Sequence, residues 1–211
     1  MDWEGGLGSF LYNLIRRHED RNLEPGRALR ERWEEIQFEE IQGDHRYYRE
    51  ILHDSLAIWC AERSYHWNTL DGEALVDAMG SWQPFPDTVP ALRRAKEAGL
   101  RLAIISNTDR SIMEHTLRQL ELPFDEVVVA EDARAYKPAA EPFSLALEKL
   151  DEAPENVLHV AFGFKYDIGP AQRLGFKTAW VNRHQEPAPG SERPDHEWRD
   201  LWGLAELAEQ K

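Results

Sequence analysis

The chain has a single cysteine, Cys60, so no disulfide forms within it. A lone thiol suits a reducing cytoplasm, where packing rather than cross-linking has to supply stability. Long hydrophobic runs are also missing. Stretches such as "LAII" and "VVVA" fall far below the roughly 20 apolar residues of a membrane-spanning helix. Basic residues are in deficit, Lys+Arg 25 against Asp+Glu 39, for a formal net charge of -14. Such a surface repels nucleic acid and anionic membranes, which excludes both as partners. It also obliges an anionic substrate to find a local basic pocket. The N-terminus lacks the basic-then-apolar pattern of a leader, and the sequence holds no internal repeat or low-complexity segment.

What is present divides the 211 residues into two parts with different periods. The first part is helical. "LGSFLYNLIRR" places Leu7, Phe10, Leu11, Leu14 and Ile15 on one face. "RALRERWEEIQFEEIQ" does the same with Leu29, Trp33, Ile36, Phe38 and Ile41, and "YYREILHDSLAIWCAER" with Ile51, Leu52, Ser55, Leu56 and Trp59. A shorter helix covers "DGEALVDAMGSW", with Asp71 as its N-cap. Cys60 falls among these apolar positions and reads as a packing residue rather than a nucleophile.

After "WQPFPD" strands and helices alternate. A helix over 88–98 is capped by Asp87 and stopped by Gly99. "RLAIIS", "EVVVA", "VLHVAF" and "TAWVN" read as strands, separated by helices at "DRSIMEHTLRQL", "EPFSLALEKL" and "IGPAQRLG" and followed by a tail helix, "DLWGLAELAEQ". This alternation predicts an α/β core with a parallel sheet covered by helices on both faces. The β-branched runs suit strands buried on both sides. A helical segment, 8–83, thus precedes an α/β core, 84–211.

In such sheets ligands bind at the carboxyl ends of the strands. Three strand ends carry polar clusters. Ser106, Asn107 and Thr108 end "RLAIIS" ahead of a helix, where free N–H groups and hydroxyls hold anions. Lys137 in "AYKPAAEP" and Asp167 in "AFGFKYDIGPA" follow the next two strands. Singly, these read as an N-cap cluster, an exposed Lys-Pro loop and an N-cap aspartate. Together they bring hydroxyl, ammonium and carboxylate to one edge of one sheet.

In this order the motifs resemble the haloacid dehalogenase (HAD) superfamily, and most closely its type II, 2-haloacid dehalogenase-like branch. "LAIISNTD", "YKPAAEPF" and "HVAFGFKYDIGPAQRLGFKTAWVNR" are similar to that superfamily's second, third and fourth motifs. The resemblance implies a Rossmann-like core with an inserted α-helical cap over 8–83, residues 1–7 being what remains of the exit from the first motif. It implies that Ser106, Asn107 and Thr108 bind a small anionic substrate, a 2-haloacid or a phosphate ester. Lys137 would keep a nucleophilic carboxylate ionised. Asp167 would orient Lys137 or the hydrolytic water. Dehalogenase-like chemistry would need no cofactor, whereas phosphatase-like chemistry would place Mg²⁺ at Asp167. A homodimer is also implied.

The sequence departs from the superfamily's pattern as well. The first motif, a strand ending in the nucleophilic aspartate, falls before residue 1, because "MDWEGGL" resembles the stretch that follows it. The expectation is therefore a truncated or inactive hydrolase lacking its central first strand. The alternative is a non-catalytic HAD-fold protein that binds a small anion or a protein partner. Asp2 and Asp109 are poor substitutes, the first at a terminus and the second capping its own helix. A tyrosine usual after the Lys-Pro pair is Phe143, and a serine usual four residues before Asp167 is Gly163. The halide-gripping arginine of the cap has no match at Glu34, although Arg30 and Arg32 are nearby. Arg46 and Arg49 in "HRYYRE" are further anion ligands to weigh, though such residues are more often solvated.

Overall fold

The computed structural model describes residues 1–18 and 27–210. Two compact units emerge, Met1–Gln83 with Thr108–Gln119, and Pro84–Asn107 with Leu120–Lys211.

The first unit is helical: α1 Trp3–Ile15, α2 Arg27–Glu40, α3 Tyr48–Glu62, α4 Thr69–Ser81 and most of α6, Arg110–Leu120. α1 starts earlier than the apolar pattern alone suggests, because the Asp2 carboxylate accepts the Gly5 N–H at 2.9 Å and caps it. Leu7, Leu11, Leu14 and Ile15 are buried, as their spacing predicts, while Phe10 of the same expected face is only half-buried. On α2, Trp33 and Ile36 are buried, but the third inward place belongs to Gln37 rather than Phe38. Positions 33, 36 and 37 share a helical face, and Gln37 reaches the Tyr48 hydroxyl at 3.4 Å. α3 buries Ile51, Leu52, Ser55, Leu56, Trp59 and Cys60. Cys60 is fully buried among these apolar side chains, as a packing role requires, and burial pushes its thiol up to about 11.

Two caps differ from expectation. α4 begins at Thr69 with Asn68 as N-cap, and Asp71 closes the capping box from the third helical position, accepting the Asn68 N–H at 3.1 Å. Asp109 does not serve only its own helix. Its carboxylate accepts the Tyr48 and Arg49 N–H groups at 2.6 and 2.9 Å, the first amides of α3. A carboxylate at a helix N-terminus meets both the orphan donors and the positive end of the dipole.

The second unit is α/β: α5 Thr88–Glu97, β1 Ala103–Ser106, β2 Glu126–Val129, α7 Ala130–Ala133, α8 Glu141–Leu150, β3 Leu158–Ala161, α9 Gly169–Arg173, β4 Lys177–Val181, β5 His196–Trp198 and α10 Trp202–Glu209. All strand pairs are parallel, as the alternation predicts. Ile105 sits opposite Val128, Val160 opposite Ala179, and Trp180 opposite Glu197. The three-residue β5 escapes sequence reading because "HEW" carries no β-branched run; Asn182 N–H to the Trp198 carbonyl, 2.7 Å, extends its pairing.

The strands form two ladders, β1-β2 and β3-β4-β5. Apolar clusters tie the ladders into one layer. On one face Leu102, ahead of β1, joins Ala95 of α5 and Leu204 and Ala208 of α10, with Val160 of β3 against them. On the other, Phe143 of α8, Ala171 of α9 and Phe176 pack with Ile105 of β1 and Val157. Alternating side chains of a strand serve opposite faces, so both helix layers are held by the same short strands. This is the α/β, Rossmann-like class with helices on both faces. No helix among the described residues is long and apolar enough to cross a membrane.

Asp87 does not cap α5 with its side chain. Its carboxylate takes both arms of the Arg183 guanidinium, at 3.0 and 2.8 Å, and the Leu201 N–H at 2.7 Å. Burial pushes this carboxyl up, but the Arg183 fork and the Leu201 amide outweigh it and hold the group below the ordinary carboxylate range. One residue thereby fastens the entry of α5, the end of β4 and the approach to α10.

Candidate functional site

Lys137 lies in the loop between α7 and α8, and Asn107 fixes its backbone. The Asn107 side-chain amide donates to the Lys137 carbonyl at 2.9 Å and accepts the Lys137 N–H at 2.7 Å. Each end of that amide keeps capacity for one further bond. With its main chain pinned, Lys137 sends Nζ to the Ile105 carbonyl of β1, 2.9 Å, and to Asp167 Oδ1, 2.6 Å. The two side chains are only 10% and 11% exposed.

Asp167 belongs to a π-helical turn, Phe164–Ile168, that follows Gly163 at the end of β3. Its N–H donates to the Gly163 carbonyl at 3.0 Å. A Cβ at Gly163 would stand 2.9 Å from Asp167 Oδ2, so the absence of a side chain there lets the carboxylate lie close. A second partner reaches the same oxygen: His159 Nε2 is 3.0 Å from Asp167 Oδ1. Burial pushes the Asp167 carboxyl up, but Lys137 and His159 overcome that and hold it at about 2. Asp167 is thus a buried carboxylate kept ionised by two neighbours.

His159 was not among the sequence candidates. Its signal was a single polar residue in the apolar strand "VLHVAF", which usually means a satisfied core histidine. The ring packs edge-on against Phe143 and Phe176, with centroids 5.2 and 6.2 Å away. Phe143, fully buried, therefore closes the apolar side of this histidine.

Within the second unit Ser106, Asn107, Lys137 and Asp167 come together around the ends of β1 and β3. Ser106 is the half-buried last residue of β1. Thr108 is assigned to the other unit, and Asp2 and Asp109 are engaged there as caps. Three arginines of the helical unit face carboxylates of that same unit. Arg30 pairs with Glu4 and Glu34, Arg32 with Glu35 and Glu62, and Arg46 with Glu40 and Asp54.

Mg²⁺ asks for several oxygen ligands in near-octahedral geometry. Among the described residues no group of three or more His, Cys, Asp or Glu side chains is placed to hold a metal ion. Asp167 Oδ1 is already shared by an ammonium and an imidazole. Among the described residues the donors at this site do not fit Mg²⁺.

The sequence profile of the haloacid dehalogenase-like hydrolases matches residues 14–175. An (S)-2-haloacid dehalogenase of Pseudomonas putida is 28% identical over 180 residues, covering 82% of this chain and 79% of that protein. A putative pyrophosphatase, PpaX, of Caldanaerobacter subterraneus is 31% identical over 125 residues, 57% of this chain and 56% of its own. Among solved structures, the L-2-haloacid dehalogenase of Xanthobacter autotrophicus superposes with a TM-score of 0.80 at 22% identity, covering 96% of this chain and 92% of that one. The magnesium-bound putative HAD-hydrolase YfnB of Bacillus subtilis gives 0.79 at 18% identity, covering 99% and 93%. These last two bear on the fold. The profile spans most of the chain, and the protein belongs to the haloacid dehalogenase-like hydrolases, in the type II branch with the 2-haloacid dehalogenases.

Proposed function

We propose that this chain supplies the anion-holding part of a haloacid dehalogenase-type hydrolase site for a small anionic substrate, a 2-haloacid or a phosphate ester. The observation that supports it most is the buried Lys137–Asp167 pair at the carboxyl ends of β1 and β3, with Nζ 2.6 Å from Oδ1. An ammonium fixed at both ends of its side chain presents positive charge where the rest of the chain is acidic. Lys137 is read as the group that binds the anion, Ser106 and Asn107 as donors beside it, and Asp167 as the carboxylate that aims the lysine.

The attack step of such a hydrolase needs a second carboxylate, free to bond to carbon or phosphorus, which water then releases. The carboxylate that Lys137 contacts is Asp167, and its Oδ1 is engaged twice. This polypeptide by itself is therefore read as binding the anion without turning it over. The competing reading, a protein that binds anions and never catalyses, makes the same forecast for this chain.

Turnover of 2-chloropropionate and of p-nitrophenyl phosphate, measured together with anion binding, tests the reading of this chain. The expected result is no turnover, with phosphate or 2-chloropropionate binding that Lys137→Ala weakens at least about tenfold. Turnover abolished by Lys137→Ala would establish a complete enzyme and overturn the reading of an inactive chain. Anion binding untouched by that substitution would remove Lys137 from the site.

A further inference from the structure

Asp167 aims Lys137, yet its own element is a weak anchor for that task. The π-helical turn Phe164–Ile168 lacks the regular ladder of an α-helix. Its Asp167 and Ile168 N–H groups share one acceptor, the Gly163 carbonyl, at 3.0 and 3.2 Å. The carboxylate takes its hydrogen bonds from two side chains, Lys137 Nζ and His159 Nε2, at 2.6 and 3.0 Å and on the same oxygen, Oδ1.

Of these two partners, only His159 is a fixed point. Lys137 ends in a compact ammonium on a flexible stem, and it is the group to be aimed. The His159 main chain lies in β3, in parallel register with the fully buried Thr178 of β4. Its ring stands edge-on to Phe143 and Phe176, which are edge-on to each other at 5.8 Å, and its side chain is 11% exposed. Both phenylalanines belong to the apolar cluster around Ala171. Packing of this kind leaves a ring little freedom to turn. Asp167 is ionised and can only accept, so Nε2 carries a hydrogen whether the ring is neutral or charged. A histidine that was merely satisfied in a core could use any carbonyl. This one shares the oxygen that holds Lys137.

We propose that His159 is a positioning residue of the anion site. From the β3–β4 ladder its Nε2–H fixes Asp167 Oδ1, and through that oxygen it sets where Lys137 presents its charge. His159 does not touch the ligand. Without it the carboxylate follows the π-helical turn, and the ammonium follows the carboxylate, so affinity falls although Lys137 keeps its charge. The inference rests on the reading of Lys137 as the group that binds the anion.

Titration calorimetry with phosphate and with 2-chloropropionate tests it on the intact chain and on His159→Phe, His159→Gln and Lys137→Ala. Phenylalanine keeps a ring among Phe143 and Phe176 but removes the donor. Glutamine removes the ring but can return an N–H near the place of Nε2. Anion binding should weaken at least about fivefold in His159→Phe and recover in His159→Gln. A role in packing alone gives the opposite order, because the ring then matters more than the donor. The Asp167 carbon resonance should report a raised pKa in His159→Phe and its return in His159→Gln. On the unaltered protein, His159 Nε2 should carry hydrogen, and its nitrogen resonance should shift with the same midpoint as phosphate binding; this stands even if no variant folds. An Nε2 without hydrogen, a resonance unmoved at saturation, or glutamine binding worse than phenylalanine overturns the proposal. If Lys137→Ala weakens binding and His159→Phe does not, the positioning role falls alone. If Lys137→Ala has no effect, the reading of the anion site falls and this inference with it.

Discussion

The two units differ in how far they enclose their ion pairs. In the helical unit most arginines and acids meet near the surface, Arg30 with Glu4 at 16% and 18% exposed being the exception. Arg32, 36% exposed, bridges Glu35 and Glu62, and Arg46, 37% exposed, bridges Glu40 and Asp54. In the α/β unit two ion pairs are enclosed, Lys137 with Asp167 and Asp87 with Arg183, all 10–17% exposed, while Arg94 with Glu209 and Arg173 with Glu192 lie at the surface. Exposed pairs are screened by water and salt and contribute little. Enclosed ones are costly to break, since removing one partner strands the other in a poor solvent. The lesson is that the abundance of charge in "RERWEEIQFEE" says nothing about where charge matters. Burial decides that, and the α/β unit buries its ions at the strand ends.

Removing one partner of an enclosed pair breaks the comparison most severely. Asp87→Ala and Lys137→Ala should each cost about 3–5 kcal/mol of stability in urea unfolding. Acid should then expose the same contrast without mutation. Asp167 is held at about 2 against an ordinary 3.8, and Asp87 is also depressed. A carboxyl with a lowered folded value stabilises fully above its unfolded value, and that contribution disappears as pH falls through the folded value. Stability should thus be lost progressively from about pH 4 down to about pH 2. In Lys137→Met the loss should begin at higher pH, because Asp167 then lacks its ammonium. Denaturant midpoints collected across this range check both statements.

Gly163→Ala tests the packing beneath the buried pair. The added Cβ would meet Asp167 Oδ2 at 2.9 Å, and that carboxylate is held by Lys137 and His159. The expected cost is about 1–3 kcal/mol, with the Asp167 carbon resonance reporting a raised pKa by NMR. In the helical unit, Asp109→Ala should cost about 1 kcal/mol through loss of the cap on α3, seen as faster amide exchange at Tyr48 and Arg49. Arg32→Ala should leave the unfolding midpoint unchanged within error. A large effect there would refute the contrast between the units.

Much of the fold was legible because it rests on local repetition. The inward faces of α1 and α3 follow from spacing alone, and so do the parallel strands, whose β-branched runs alternate with helices. The exceptions are instructive. Phe38 is expected on the inward face by its spacing, yet the fold turns Gln37 inward instead. Asp71, Asp87 and Asp109 all read as N-caps in the sequence, although Asp71 lies at the third position of α4. Asp87 turned out to hold Arg183, 96 positions away, and Asp109 to cap a helix about 60 positions earlier. A carboxylate satisfies whichever donors the fold brings closest, and sequence distance carries no information about that.

The site divides in the same way. Lys137 and Asp167 could be picked out because each follows a strand, and strand ends in such sheets lie at one edge. His159 could not, because one histidine in an apolar strand gives no sign of what it touches. By itself, then, the sequence determined the α/β class, the helical segment before it, the strand ends that carry polar groups and the family resemblance, all of which depend on local periodicity and motif order. Only the tertiary structure decided which carboxylate meets Lys137, that His159 shares it, and that β1 and β3 each leave an edge open among the described residues. Those depend on how distant backbone segments are brought together, and the desolvation and hydrogen bonding that select the pairings exist only once the chain has folded.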